Sequence, residues 1–318
     1  MQFFQIIGTQ RSGSNLLRLI LNEFSEIYAP HPPHLLSNFY PIKDKYQNGD
    51  MLINDMIDWV KKNPVKWDIV PSKKSIENLI NEKNVFQIFK ALYSYSNPKF
   101  WCCKSLDNFN FYNNNSFKNL DPIYIYIYRD GRDVASSFKK ASIGEKHIYH
   151  IAKKWNRDQR KCLELKHSLD KYNFFSVRYE DLLEDPRLII KNFCKKYGII
   201  YNEKFLDFYK SKESKKTSDS GGQWKNLSKP LIKNNMNKYK KELTKEEILI
   251  FESINKIELL KLGYKLENHE SKIDFTYSAE EVRTFDLINS KLKIKANNNQ
   301  SSFEKNLIQK QKNILKFN

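Results

Sequence analysis

The stretch Gly8-Thr9-Gln10-Arg11-Ser12-Gly13-Ser14-Asn15 follows the apolar run Phe3-Phe4-Gln5-Ile6-Ile7 directly and leads into a leucine-rich segment. Two glycines flanking four residues, between a strand-like and a helix-like segment, have the spacing of a loop that cradles phosphate. Such a loop aims unpaired backbone N–H groups and the positive end of a helix dipole at one spot. A nucleoside triphosphatase places Lys and then Ser or Thr after the second glycine, to hold the terminal phosphates and Mg²⁺. Ser14 and Asn15 stand there instead, and the cation, Arg11, lies inside the loop. Ser12, Ser14 and Asn15 add side-chain hydrogen bonds, and Arg11 adds a planar charge suited to a tetrahedral oxyanion. The loop therefore reads as a site for a phosphate-like group whose transfer does without Mg²⁺. The plainer alternative is a serine-capped helix after an edge strand. In the helix, expected over 14–24, Leu16, Leu17, Leu19, Ile20 and Leu21 form an apolar face, with Arg18 and Asn22 expected off it.

A second cluster has the same design. Pro122-Ile123-Tyr124-Ile125-Tyr126-Ile127-Tyr128 is a β-branched and aromatic run suited to a buried strand. It ends in Arg129-Asp130-Gly131-Arg132-Asp133, before the helix-like Val134-Ala135-Ser136-Ser137-Phe138. Polar residues at the carboxyl end of a strand occupy the place where open α/β sheets bind ligands. Two arginines and a following serine would suit a second phosphate; the alternative is an Asp-capped helix with surface ion pairs.

Together these clusters resemble the sulfotransferase family. Gln10 through Leu17 is similar to the family's 5′-phosphosulfate loop, and Arg129 through Ser137 to its 3′-phosphate motif. The resemblance continues through Val177-Arg178-Tyr179-Glu180-Asp181-Leu182-Leu183-Glu184-Asp185-Pro186, where a Tyr lies near the nucleotide. Gly221-Gly222-Gln223-Trp224-Lys225-Asn226, with altered glycine spacing, and Leu262-Gly263-Tyr264 follow in family order, so that residues 1–266 are covered. The resemblance implies a three-layer, P-loop-like α/β fold, its central parallel sheet flanked by helices. It implies 3′-phosphoadenosine 5′-phosphosulfate as donor, held by Arg11, Ser12, Gly13, Ser14, Asn15, Arg129, Ser137, Tyr179 and Trp224, with no metal.

Composition agrees with a soluble enzyme. A chain of 318 residues buries an ample core. Cys102, Cys103, Cys162 and Cys194 have neither paired nor metal-like spacing, which argues for a reducing compartment. The chain enters its first strand without a basic–apolar–cleavage pattern, and no apolar run is long enough to span a membrane, so a cytoplasmic protein is expected. The formal charge of +18 is spread as lysines among many asparagines and isoleucines, a compositional texture as much as a patch. No helix-turn-helix, zinc-finger or RNA-recognition signature accompanies it, so nucleic acid is not an expected partner. A basic field would still attract a polyanionic donor.

Between strands at 3–7, 100–103, 122–128 and 174–178, with a possible short strand at 27–29, the pattern predicts mainly helix over 35–96. The best helical candidates are 51–60 and 75–95, and a long helix is expected around 145–169. The 35–96 insertion would cover the cleft and shape the acceptor site. Beyond 266 a 267–318 extension is expected, with 297–302 as a linker before a lysine-rich helix. Aromatics such as Phe39, Trp59, Trp67 and Trp101 would stack on an acceptor or, more commonly for such spacing, build core.

Sulfuryl transfer needs alignment, charge stabilisation on the leaving phosphate and a proton acceptor. Arg11 is the first choice for leaving-group stabilisation and Lys104 the second, since Lys104-Ser105 is similar to a family segment with a functional Lys. Cytosolic members of the family carry a His after that segment, but Leu106 stands here. The rigid Pro30-His31-Pro32-Pro33-His34 turn offers His34, or else His31, as base. His147 and His150 lack a third metal ligand. The acceptor would be a hydroxyl or amine on a carbohydrate, small alcohol, lipid or tyrosine, which fold does not decide. A nucleotide-dependent kinase and a non-catalytic basic polyanion-binding module are the competing readings.

Overall fold

The computed structural model describes residues 1–298 and 302–315. Five parallel strands form the sheet: β1 (Gln2–Ile7), β2 (Ile27–Tyr28), β3 (Phe100–Cys103), β4 (Pro122–Tyr128) and β5 (Phe174–Arg178), in the order β2-β3-β1-β4-β5. Central β1 pairs with β3 through Phe3↔Trp101 and with β4 through Phe4↔Ile123. Its alternating side chains feed two cores, Phe3 and Ile7 on one face and Phe4 and Ile6 on the other. The all-parallel sheet explains why these strands are nearly continuous apolar runs. From β1 the chain turns towards β2 and β3; from β4 it turns the other way, to β5. The loops after β1 and β4 therefore meet at the reversal of strand order, the crevice of open α/β sheets.

Helix α1 (Ser14–Leu21) leaves the first loop and ends three residues short of the expected 24. The insertion holds α2 (Leu35–Phe39), α3 (Gly49–Lys61), α4 (Lys73–Glu77) and α5 (Val85–Ser94). The single helix expected over 75–95 is thus two: Asn84 caps α5 by accepting from the backbone N–H of Phe86 and Gln87, and residues 78–84 stay irregular. Phe39, Trp59, Trp67, Tyr93 and Trp101 are all buried in the core. Short α6 (Asn115–Lys118) precedes β4, and α7 (Gly131–Lys140) and the long α8 (Ile148–Ser168) follow it. After β5 come α9 (Tyr179–Glu184), α10 (Pro186–Tyr197), α11 (Lys212–Asp219), α12 (Tyr239–Glu242) and α13 (Lys245–Lys261). All four cysteines are buried and free, Cys102 and Cys103 within β3 as expected.

Beyond residue 266 lie α14 (Glu270–Ile273), α15 (Ala279–Asn298) and α16 (Ser302–Lys312). Asn297 and Asn298, expected in a linker, are the last residues of α15; positions 299–301 of that linker lie outside the described residues. Asn289 of α15 accepts from the backbone N–H of Lys146 (2.8 Å) and His147 (3.0 Å), and Phe285 stacks on His147. His147 itself caps α8, and His150 pairs with Asp286 at 3.1 Å. Among the described residues, no group of three or more His, Cys, Asp or Glu is placed to hold a metal, and no helix is long and apolar enough to cross a membrane.

Candidate active site

The loop after β1 has the backbone that its glycines foretell. Gly8, Arg11 and Gly13 have φ of 135°, 72° and 92°, in a region that side chains with a Cβ rarely occupy. A Cβ on Gly8 would lie 2.2 Å from the Ile127 carbonyl oxygen, and one on Gly13 would lie 2.4 Å from the Tyr179 ring. Thr9 at the loop's base accepts from Gln159 Nε2 of α8 at 2.7 Å.

At the switch point the two sequence clusters converge. Arg11 Nε donates to Ser137 Oγ at 2.9 Å, so one guanidinium ties the first loop to α7. Arg129 lies over the Tyr179 ring at 4.6 Å and donates to the Asn235 carbonyl at 2.7 Å. Asn235 Nδ2 in turn donates to the Tyr179 hydroxyl at 2.6 Å. These residues line a cleft of about 460 Å³ whose walls also include Ser14, Asn15, Trp224 and the lysines 140, 229 and 238. Ser12 Oγ, Asn15 Oδ1 and Arg129 Nε are buried without a hydrogen-bond partner among the described residues. Burial, and after it the neighbouring Arg129, lower the Arg11 pKa, so the pair of cations favours an anion between them. Unmet polar groups, glycine clearance and paired cations together fit a ligand with two anionic groups.

Two arginines do not belong to that surface. Arg18, expected off the apolar face of α1, is fully buried: it donates to the Ala29 carbonyl (2.9 Å) and Thr217 Oγ1 (2.9 Å) and pairs with Glu213 at 2.8 Å. Its partners in α11 lie so far along the chain that helical periodicity gave no sign of them. Arg132, read with Arg129 as a phosphate ligand, is held instead by Asp130 (2.7 Å) and Glu252 (2.6 Å) and stacks on Tyr239. Both are structural ion pairs.

The proposed transfer residues sit deeper. Lys104 follows β3 and is buried; Gln5 of β1 donates to the carbonyls on either side of it, Cys103 (3.2 Å) and Ser105 (3.1 Å). Burial and then Arg18 bring the Lys104 pKa down to about 7. The Pro30–His34 turn is pinned by two indoles, Trp67 Nε1 donating to the His31 carbonyl and Trp59 Nε1 to that of Pro33, each at 2.6 Å. His31 Nδ1 meets Asn63 Nδ2 at 3.2 Å, and its ring abuts the edge of Trp224 at 5.5 Å. His34 has a left-handed backbone (φ 56°) and a buried Nδ1 without a partner among the described residues. Its pKa falls to about 4 through burial and then the Lys104 charge, which Asp107 opposes. His31 is also depressed, by burial, Arg18, Lys104 and His34. Thus Lys104, His34 and His31 share one electrostatic cluster, but none of them lines the 460 Å³ cleft.

The sulfotransferase family model matches residues 4–203, more than half of the chain. The chain belongs to the sulfotransferase family. As an enzyme of that family it transfers a sulfuryl group from a sulfate donor. Two solved structures share its fold. The sulfotransferase domain of the Synechococcus PCC 7002 olefin synthase is 20% identical, covers 79% of this chain and 93% of its own, and superposes with a TM-score of 0.54. The sulfotransferase domain from the curacin biosynthetic pathway is 19% identical, covers 83% of this chain and 98% of its own, with a TM-score of 0.57. No curated protein matches the sequence. Sequence reasoning about this sulfotransferase missed Gln5, Asn235 and the cleft lysines. Only Gln5 carried a signal, as a lone amide in an apolar strand.

Proposed function

We propose that this sulfotransferase uses 3′-phosphoadenosine 5′-phosphosulfate as donor and passes its sulfuryl group in line to a hydroxyl or amine acceptor, without a metal. The observation that carries the reading is the joining of the two strand ends by Arg11 and Ser137, with Arg129 beside them and buried polar atoms left unmatched. The backbone amides of the 10–15 loop with Ser12, Ser14 and Asn15 hold the 5′ end of the donor, Arg129 and Ser137 its 3′-phosphate, and Tyr179 and Trp224 the adenosine. The donor supplies a sulfuryl group already activated by its phosphate leaving group. Arg11 and Lys104 stabilise the charge that grows on that leaving phosphate. His34, neutral at pH 7, accepts the acceptor's proton; burial and, after it, the Lys104 charge depress the imidazole, and the anion of the bound donor offsets the second of these. His31 backs Trp224 and is the second choice as base.

Ser14 and Asn15, where a kinase needs Lys and Ser or Thr, argue against phosphoryl transfer. The test is donor choice with EDTA present. Labelled 3′-phosphoadenosine 5′-phosphosulfate should be consumed at an unchanged rate on chelation, and γ-labelled ATP should not be used. Turnover of ATP that needs Mg²⁺ would replace this reading by the kinase. Salt-sensitive polyanion binding without turnover, surviving Arg11→Ala, would replace it by the binding module.

A further inference from the structure

The loop after β1 borders two clefts. Arg11, Gly13, Ser14 and Asn15 face the cleft assigned above to the donor. Gly8 and Gln10 face a second, narrow opening of about 50 Å³, closed on one side by the 106–110 turn with Asp107 and on the other by α8. Leu106 and Asp107 line this opening, and the turn that they begin follows Lys104-Ser105 directly, so the opening lies beside the end of β3 that carries Lys104. Lys154, Arg157 and Lys161 line its mouth. The same three residues border an adjoining shallow groove of about 650 Å³, where Lys153 and Arg160 join them. The 153/157/160 and 154/157/161 spacings put these cations on one side of the helix. Asp158, also in the opening's lining, pairs with Lys154 (3.0 Å) and Arg157 (3.3 Å), and Glu145 is tied to Lys293 at 3.2 Å, which leaves Lys153, Arg160 and Lys161 without a carboxylate partner among the described residues. Glu164 stands at the far end of the groove. Arg157 is well exposed, so the face keeps cations available to a solute.

We infer that the acceptor of this sulfotransferase is a small hydroxyl compound bearing a carboxylate or phosphate. It enters hydroxyl first between Gly8–Gln10 and the 106–110 turn, while its anionic group rests on Lys154, Arg157 and Lys161. Donor and acceptor then reach one loop from opposite sides, each anion meeting its own cations. In the transfer, the bond from the acceptor oxygen to sulfur forms and the bond from sulfur to the donor's phosphate oxygen breaks. The electron pair leaves with the phosphate, and the hydroxyl proton passes to the base. This inference rests on the donor reading above.

Matched acceptors that differ in charge test it, with labelled donor: glycerol 3-phosphate against glycerol, and 4-hydroxyphenylacetate against 4-ethylphenol. The anionic member of at least one pair should have the higher kcat/KM by ~10-fold, the factor that three partly exposed ion pairs supply together. Which pair responds distinguishes phosphate from carboxylate. In the triple variant Lys154→Gln, Arg157→Gln, Lys161→Gln that ratio should fall towards one through KM, with kcat held and the affinity for 3′-phosphoadenosine 5′-phosphate unchanged. Equal or greater use of the neutral members overturns the inference. So does an unchanged ratio in the triple variant, or no transfer to any anionic member while the nucleotide binds. Failure of the wild type to bind the nucleotide instead overturns the donor reading.

Discussion

The chain builds the same unit twice, a buried strand, a polar loop and a helix, and the two copies use their arginines alike. In the first unit Arg11 faces the cleft while Arg18, one helical stretch later, is buried against Glu213. In the second, Arg129 faces the cleft while Arg132 is buried against Asp130 and Glu252. The units differ in how the buried cation is satisfied. Arg18 meets one carboxylate and finishes on a carbonyl and a hydroxyl, whereas Arg132 is sandwiched between carboxylates and an aromatic ring. Each recruits a different distant segment, α11 for the first loop and α13 for the second. The lesson is that an arginine in a binding motif is as easily a strut as a ligand, and its neighbours in space decide which.

The comparison breaks most visibly at the struts. Arg132→Ala leaves Glu252 and Asp130 as buried, unpaired carboxylates and should cost about 3–5 kcal/mol of folding stability, read from denaturant midpoints. Arg18→Ala should cost less, because Glu213 is partly exposed and can rehydrate. If Arg132→Ala unfolds no more easily than wild type, the strut assignment is wrong. The cleft arginines should act chiefly on binding. Arg11→Ala or Arg129→Ala should weaken nucleotide binding roughly 10- to 150-fold, as expected for a lost charge-assisted hydrogen bond. The denaturant midpoint should hardly move in Arg11→Ala, whereas Arg129→Ala should also lower it, because the buried Asp133 loses its ion pair with Arg129 (3.4 Å).

A third test concerns the buried Lys104. Its folded pKa of about 7 lies below the ~10.4 of an unfolded chain. Between those values the unfolded state binds more protons, so this group's contribution to stability rises with pH across that window. Its penalty is fully present below pH 7. Lys104→Met should therefore be stabilised relative to wild type at pH 6, and the gain should shrink by pH 10. A gain independent of pH would show that Lys104 is not buried as a strained cation. The smallest effect is expected at Asn235→Ala, which removes the donor to the Tyr179 hydroxyl but leaves the carbonyl that receives Arg129. Loss of one neutral hydrogen bond predicts about a 2- to 13-fold rise in the nucleotide dissociation constant.

Much of this was legible in the sequence because it is local. Strand, glycine loop and helix follow one another within each unit, so the spacing of Gly8 and Gly13 and the run at 122–128 gave both elements and their order. Arg11, Arg129, Ser137, Tyr179 and Trp224 line one cleft. What was illegible depends on long-range partners. Nothing near Arg18 announces Glu213, and nothing near Arg132 announces Glu252; both arginines look polar and exposed in a helical pattern. The break between α4 and α5 was missed because an Asn cap at 84 interrupts an otherwise periodic segment. Whether His34 or His31 faces the chemistry also escapes the sequence, since the two share one proline-rich turn. Their environments diverge through Asn63, Trp224 and Lys104, which come from separate segments.

In the proposed function, two anionic groups of one nucleotide are divided between the two units. Calorimetric titration of 3′-phosphoadenosine 5′-phosphate and of adenosine 5′-monophosphate into wild type, Arg11→Ala and Arg129→Ala tests it directly. Arg11→Ala should weaken both ligands, because both carry the 5′-phosphate. Arg129→Ala should weaken only the ligand with the 3′-phosphate, bringing its affinity down to that of adenosine 5′-monophosphate. Equal losses for both ligands in Arg129→Ala, or no preference of the wild type for the 3′-phosphorylated nucleotide, would contradict the account.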